Sequence, residues 1–221
     1  PGMTIVPNFV DEEVAQALLA AVDSQPWDTS IRRRVQHYGH AFDYSRLRLA
    51  EGRHIEALPD FSAGLLDRIV RSDLLPQPPD QLTVNEYQPG VGIALHVDAH
   101  SSFEDGIAAL TLGAGIVMEF RRPEADSGGK VSVGKHHRLS LPPSNSKLAE
   151  QKNVWLPANS LLILRGESRY SWQHGIAWRK TDCIGEGQAV PRGRRVSLTF
   201  RSVRHRPCDC QWPLMCDTQT P

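Results

Sequence analysis

The sequence predicts a mainly β protein, a sandwich or jelly roll with helices packed outside the sheets. Three observations predict it. Past residue 80 the chain is a succession of short β-type runs broken by Gly, Pro, Asn and Ser. The helical patterns are confined to the residues before that point. A length of 221 residues, with 40% hydrophobic and 23% charged residues, suits one domain with a sizeable core.

The elements follow in order. "MTIVPNF" reads as a short strand. "DEEVAQALLAAVDS" sets Val14, Leu18, Leu19 and Val22 at helical intervals behind an acidic first turn. "ALPDFSAGLLDRIVRSDLL" repeats the pattern with Phe61, Leu65, Leu66 and Ile69 on one side, and "PQPPD" ends it. The expected strands are then "QLTVNEY", "GIALHVDAH", "IAALTL", "GIVMEF", "KVSVGKHHRLSL", "NVWLPANSLLILRG" and "RRVSLTFRSVR". "EADSGGK" and "PPSNSKLAEQK" are polar and are expected to be loops. No internal repeat or low-complexity tract interrupts the series.

Formal net charge is zero, so no global field recruits nucleic acid, and a polyanion would have to be held by local basic patches. No apolar run reaches the length of a membrane span, and "PGMTIVPNFVDEE" has no signal-peptide pattern. A start on Pro-Gly ahead of a methionine leads to the expectation that the natural chain continues beyond these ends. Of four cysteines, Cys183 stands apart, with no role assigned, while Cys208, Cys210 and Cys216 crowd into the last fourteen residues. That is not a framework that staples a whole fold. A reducing compartment is expected, the cytoplasm with the nucleus as a second location, and there clustered thiols bind metal more often than they form disulfides.

Two patterns carry chemistry. In "RRVSLTFR", Arg195, Ser197, Thr199 and Arg201 alternate with Val196, Leu198 and Phe200. One face packs a core. The other either faces solvent or, if the sheet curls into a roll, brings two arginines into a cavity where they need an anion such as a small dicarboxylate. In "GIALHVDAH", His96 and Asp98 form a His-x-Asp pair. With a distant histidine, best supplied by His174 in "SRYSWQHGI", it makes a two-His-one-carboxylate triad with open positions, suited to non-haem iron(II). His100 is one ligand too many for that site. The three tail thiols need a fourth ligand for closed tetrahedral zinc, and His100 supplies it if the chain bends after Asp98.

"NEYQPGVGIALHVD", "SRYSWQHGI" and "RRVSLTFR", in that order, resemble the AlkB family of iron(II)- and 2-oxoglutarate-dependent dioxygenases. The likeness is strong from about residue 80 onward and looser before it. Within the family it is greatest to the oxygenase domain of the tRNA wobble-uridine hydroxylases, the AlkB homologue eight branch. The resemblance implies a double-stranded β-helix (jelly roll) of the 2-oxoglutarate oxygenase type. It also implies a single domain over 1–221, with N-terminal helices and substrate lid in 1–79, the roll in 80–203 and a zinc-binding tail in 204–221. By motif, His96, Asp98 and His174 bind iron(II). Asn85 and Tyr87 reach 2-oxoglutarate, Arg195 pairs with its far carboxylate, and Arg201 helps hold its other end. His100, Cys208, Cys210 and Cys216 hold a structural zinc.

"SIRRRVQHYGHAFDYS" interleaves Arg32, Arg33 and Arg34 with His37, Tyr38, His40, Phe42 and Tyr44, as an RNA-binding lid would. A solvated hairpin with a few buried aromatics explains the same residues. Arg169, Tyr170 and Trp172 are expected to border the pocket, Trp172 being equally suited to the core. Three functions follow: hydroxylation of 5-methoxycarbonylmethyluridine in the tRNA anticodon loop, oxidative N-demethylation of alkylated bases, and a non-enzymatic zinc-stabilised RNA-binding module. His100, committed to zinc, occupies a position where family members acting on cationic lesions tend to carry a carboxylate, which favours a neutral base. RNA-recognition and methyltransferase domains are expected as neighbours outside these residues; the oligomeric state is left open.

Overall fold

A computed structural model describes residues 2–43, 48–54, 57–123 and 148–219. The chain opens with β1 (Met3–Val6) and α1 (Glu12–Asp23), then β2 (Val35–Tyr38), the hairpin of β3 (His40–Asp43) and β4 (Arg48–His54), and α2 (Ala63–Arg71). The roll follows: β5 (Gln81–Tyr87), β6 (Ile93–His96), β7 (Phe103–Gly113), β8 (Ile116–Pro123), β9 (Leu148–Leu156) and β10 (Leu161–Leu164). One turn of helix, α3 (Glu167–Tyr170), precedes β11 (Gln173–Ile176), the hairpin of β12 (Thr181–Ile184) and β13 (Gln188–Pro191), and the last strand, β14 (Arg195–Val203).

These strands form a major sheet in the order β1-β10-β7-β14-β5-β2 and a minor sheet in the order β6-β11-β8-β9. β14 is antiparallel to both its neighbours, with Ser197 opposite Asn85 on β5 and Thr111 on β7. The alternation in "RRVSLTFR" therefore has two destinations. Val196, Leu198 and Phe200 pack with Leu82 and Val84 under Leu18 and Val22 of α1 and Ile69 of α2. Phe200 is fully buried there, and truncating such a ring to alanine costs about 3–5 kcal/mol. Arg195, Ser197, Thr199 and Arg201 face the other way, into the space between the two sheets. Between the sheets a second cluster joins Tyr87 and Ile107 of the major sheet to Met118, Phe120 and Trp172.

α1 starts where Asp11 accepts a hydrogen bond from the Val14 amide at 2.8 Å, with Glu12 and Glu13 in the first turn. The structure corrects several expectations. Val14 is exposed and Ala15 takes the buried place, because the inward stripe of α1 is Ala15, Leu18 and Val22. Part of the expected loop "PPSNSKLAEQK" is strand, since β9 begins at Leu148. β6 stops at His96, so Asp98 and His100 lie on the turn beyond it rather than on one strand. "EADSGGK" and "KVSVGKHHRLSL" fall outside the described residues, as does Tyr44. The expected lid also contributes β2 to the edge of the major sheet, paired with β5.

Candidate active site and metal centres

β11 and β6 are antiparallel, with His174 opposite His96 and the ring centroids 4.5 Å apart. Gly175 allows this approach: a Cβ there would lie 2.9 Å from the Leu95 nitrogen and 3.0 Å from the Ile93 oxygen. Any side chain at 175 would push β11 off β6 and part the two histidines. Asp98 comes back toward them from the turn, its Oδ1 3.6 Å from His96 Nε2. One ligand atom from each of His96, Asp98 and His174 lies within 4.8 Å of the others.

The electrostatics suit a cation. Burial alone would raise the Asp98 pKa, but the Arg201 guanidinium and the hydrogen bond to His96 hold it well below the usual carboxylate range. Burial, with His96 beside it, pushes His174 down to about 3, so its ring is neutral and its lone pair free for a metal at neutral pH. His174 Nδ1 is buried with no hydrogen-bond partner among the described residues. Two imidazoles and one carboxylate on one side of a pocket fit the facial triad of non-haem iron(II).

The pocket beside the triad has about 480 Å³ of empty space, its mouth included, between the two sheets. Arg195 lies in its wall, fully buried. Its guanidinium donates to Thr111 Oγ1 at 3.0 Å and Ser197 Oγ at 3.3 Å and lies 5.3 Å over the Tyr87 ring. Among the described residues no carboxylate pairs with it, and burial lowers its pKa to about 10. A buried cation held only by two hydroxyls and a ring calls for an anionic ligand. Asn85 and Tyr87 line the same pocket on β5, and Asn85 Oδ1 accepts from Arg33 Nε at 2.9 Å. A dicarboxylate bridging the triad and Arg195 fits this space and this charge.

Arg201 also lines the pocket, but its guanidinium is engaged by protein. Nε donates to Asp98 Oδ2 at 3.0 Å and Nη1 to Gln81 Oε1 at 3.2 Å. Gln81, fully buried, was not singled out by sequence reasoning. Its signal was its place two residues before Thr83, on the polar face that continues to Asn85 and Tyr87.

The second cluster lies at the far end of the same turn. One ligand atom from each of His100, Cys208, Cys210 and Cys216 lies within 4.8 Å of the others, and His100 Nδ1 is 3.3 Å from Cys210 Sγ. One nitrogen and three sulfurs, mostly buried, are a donor set for a tetrahedral metal of the zinc type. Tyr170 packs edge-on to His100 with centroids 4.9 Å apart and stacks on Trp212 at 5.2 Å. Cys183, exposed on β12, is not a member.

The expected RNA face is redistributed. Arg32 is exposed, and Arg33 reaches the pocket rim at Asn85. Arg34 donates two 2.6 Å hydrogen bonds to Glu86 and covers Trp27 at 4.7 Å, so its charge is taken up within the protein. Tyr38 corrects its expectation: it sits opposite Leu82, which turns it toward the helices, where it meets Phe61 edge-on at 5.9 Å. His37, one residue earlier, points to the roll side and lies 3.3 Å from Thr83 Oγ1. Arg169 is the other correction. It is fully buried and donates to three backbone carbonyls, so no RNA can reach it. Trp172 belongs to the core.

Comparison with known proteins agrees with this architecture. A model of the 2OG-Fe(II) oxygenase superfamily matches residues 2–201, a span that includes the triad and both pocket arginines. The chain is 40% identical over 227 residues to an Arabidopsis thaliana protein named "Alkylated DNA repair protein ALKBH8 homolog", covering 99% of this chain and 63% of that one. It is 40% identical over 242 residues to the Xenopus tropicalis "tRNA (carboxymethyluridine(34)-5-O)-methyltransferase alkbh8", covering 99% of this chain and 34% of that one. This chain thus spans 34% to 63% of the length of these relatives. The solved structure of OsALKBH1 superposes with a TM-score of 0.60 at 18% identity, covering 91% of this chain and 98% of that one, which bears on the fold alone. The family implies iron(II) and 2-oxoglutarate, for which the triad and Arg195 are the fitting residues. The chain belongs to the 2OG-Fe(II) oxygenase superfamily, as a dioxygenase domain of the AlkB type.

Proposed function

We propose that this domain hydroxylates the side chain of 5-methoxycarbonylmethyluridine at the wobble position of the tRNA anticodon loop. The observation that carries the reading is the fate of His100. Two positions beyond Asp98, where the resemblance implies a carboxylate in AlkB members acting on cationic alkylated bases, stands a histidine taken up by the thiol cluster. The site thus favours a neutral base. The name of the Xenopus relative supports the same substrate. Methyl transfer to a carboxymethyluridine yields a methyl ester, the side chain an oxygenase beside it would receive.

Bound iron(II) and 2-oxoglutarate would activate dioxygen, one oxygen atom entering a substrate C–H bond and the other ending in succinate as the oxo acid loses carbon dioxide. The chain's own residues prepare that step. His96, Asp98 and His174 hold the metal from one side. Arg195 fixes the distal carboxylate of the oxo acid, and Tyr87 packs against that guanidinium. Exposed Arg32 is a cation that RNA phosphates could reach, and Arg33 lies beside Asn85 at the pocket. We also assign zinc to the cluster of His100, Cys208, Cys210 and Cys216, in a closed structural role.

The test is nucleoside mass spectrometry after reaction with bulk tRNA. The expected product is a single added oxygen on 5-methoxycarbonylmethyluridine, with no formaldehyde. Hydroxylating a methylene in a carbon chain leaves a stable alcohol, whereas an N-methyl group would be lost as formaldehyde. Formaldehyde release with that nucleoside unchanged would instead support N-demethylation.

A further inference from the structure

The buried Arg169 has no part in the reading above, yet it sits where both clusters meet. Its Nη1 donates to the Asp98 carbonyl at 2.7 Å, and its Nη2 to those of Ala99 at 3.3 Å and Phe103 at 3.2 Å. Those carbonyls bracket the turn that carries Asp98 at one end and His100 just beyond. The next residue on α3, Tyr170, supplies the ring against His100 and Trp212, and four residues on is His174. From the tail, Asp217 Oδ1 accepts from the Ser101 amide at 2.9 Å. One helical turn therefore grips the segment joining the iron-type carboxylate to the zinc-type histidine, while the cysteine tail holds that segment from the other side.

We infer that Arg169 is a positioning residue that couples the two clusters, making the geometry of the Asp98 carboxylate depend on whether the His100–cysteine cluster is closed. Without the guanidinium, the buried Asp98 carbonyl loses its 2.7 Å donor, those of Ala99 and Phe103 each lose one of theirs, and the turn is freer to shift. Asp98 and His100 are only two residues apart, so a shift at one is felt at the other. The inference rests on the reading of both clusters as metal sites.

The test uses the full chain, loaded with zinc and freed of iron, titrated with Mn(II) and followed by electron paramagnetic resonance of the free ion. Mn(II) prefers nitrogen and oxygen donors and avoids thiolates, so it reports on the triad. Arg169→Gln is expected to weaken Mn(II) binding roughly tenfold or more, the scale of losing a group that orients a ligand. Arg169→Lys, able to reach only part of the carbonyl set, should fall between. Cys210→Ser should weaken Mn(II) binding in the parent chain but add little on top of Arg169→Gln, because the coupling is already lost.

A lower melting temperature with unchanged Mn(II) affinity in both Arg169 variants would reduce Arg169 to a structural role and overturn the inference. Fully additive effects of Arg169→Gln and Cys210→Ser would overturn the coupling. If Arg169→Gln does not fold, Arg169→Lys with and without Cys210→Ser decides the same question. His96→Ala separates the two levels. If it loses Mn(II) while the Arg169 variants keep it, only this inference falls; if it binds Mn(II) normally, the triad reading falls too.

Discussion

Arg201 donates its Nε hydrogen to Asp98 Oδ2 at 3.0 Å, across 103 positions of sequence. The last strand of the roll thereby holds the carboxylate of the triad from behind and keeps it ionised. Removing the guanidinium leaves a buried carboxylate without its countercharge, a loss of about 3–5 kcal/mol. Arg201→Met is therefore expected to melt well below the parent chain, and its metal binding should fail at a higher pH as the Asp98 pKa rises. Metal titrations at several pH values check the direction. An acidic limit that stays where it was would detach Arg201 from the behaviour of Asp98.

His96→Ala, Asp98→Ala and His174→Ala each remove one of three protein ligands. Turnover is expected to fall by roughly two orders of magnitude or more in each, with iron affinity falling alongside. Decarboxylation of 2-oxoglutarate is the assay, and circular dichroism checks that the roll is intact. A folded His174→Ala chain with normal turnover would remove His174 from the site.

Arg195→Ala should weaken 2-oxoglutarate binding by about 2–5 kcal/mol, as expected for truncating one partner of a buried charge-assisted pair. Arg195→Lys is expected to recover only part of this, since an ammonium cannot reproduce the guanidinium fork. The effect should appear in the KM for the cosubstrate. Equal KM values in all three proteins would put the carboxylate elsewhere.

Protein purified without chelator should carry one zinc per chain in addition to iron. Cys210→Ser is expected to lose that zinc and lower the melting temperature, because the metal's binding energy is folding energy for the tail. His100→Ala with full zinc content would show that some other group is the fourth ligand. Metal analysis by mass spectrometry settles both points.

Burial pushes His174 down to about 3 and His37 down to about 4 in the folded chain, from about 6.5 in an unfolded one. With the folded-state values depressed, the unfolded chain binds more protons over the interval between them, so stability rises with pH there. The iron-free protein should accordingly lose stability as pH falls from about 6.5 toward 4. Thermal melts across that range test it. A flat profile would mean that these rings accept protons without cost in the fold.

Much of this was legible in the chain. "QLTVNEY" coincides with β5 residue for residue, because turn residues bound it on one side and a proline run on the other. The polar row of β14 was visible as alternation, yet alternation alone left open whether it faced solvent or the inside of the roll. Pairing decided that: β14 lies between β5 and β7, and a second sheet covers its polar face. Tyr38 was misread for a related reason. Its side is set by register against Leu82, which no local pattern encodes. Arg169 was expected at the border of the pocket, and its burial could not be foreseen because its partners are backbone carbonyls some seventy positions away, invisible in composition.

The strand order carries a consequence for how this protein comes into being. β14 is the last strand made, yet it occupies the middle of the major sheet, between β7 and β5. During synthesis the chain emerges N-terminus first, so β5 and β7 are made before the strand that joins them. Until residues 195–203 arrive, Asp98 has no Arg201 and the pocket has no Arg195. A chain that stops before β14 therefore lacks the Arg195 side of the pocket and leaves Asp98 without Arg201. One strand thus completes both the centre of the major sheet and the charged side of the pocket.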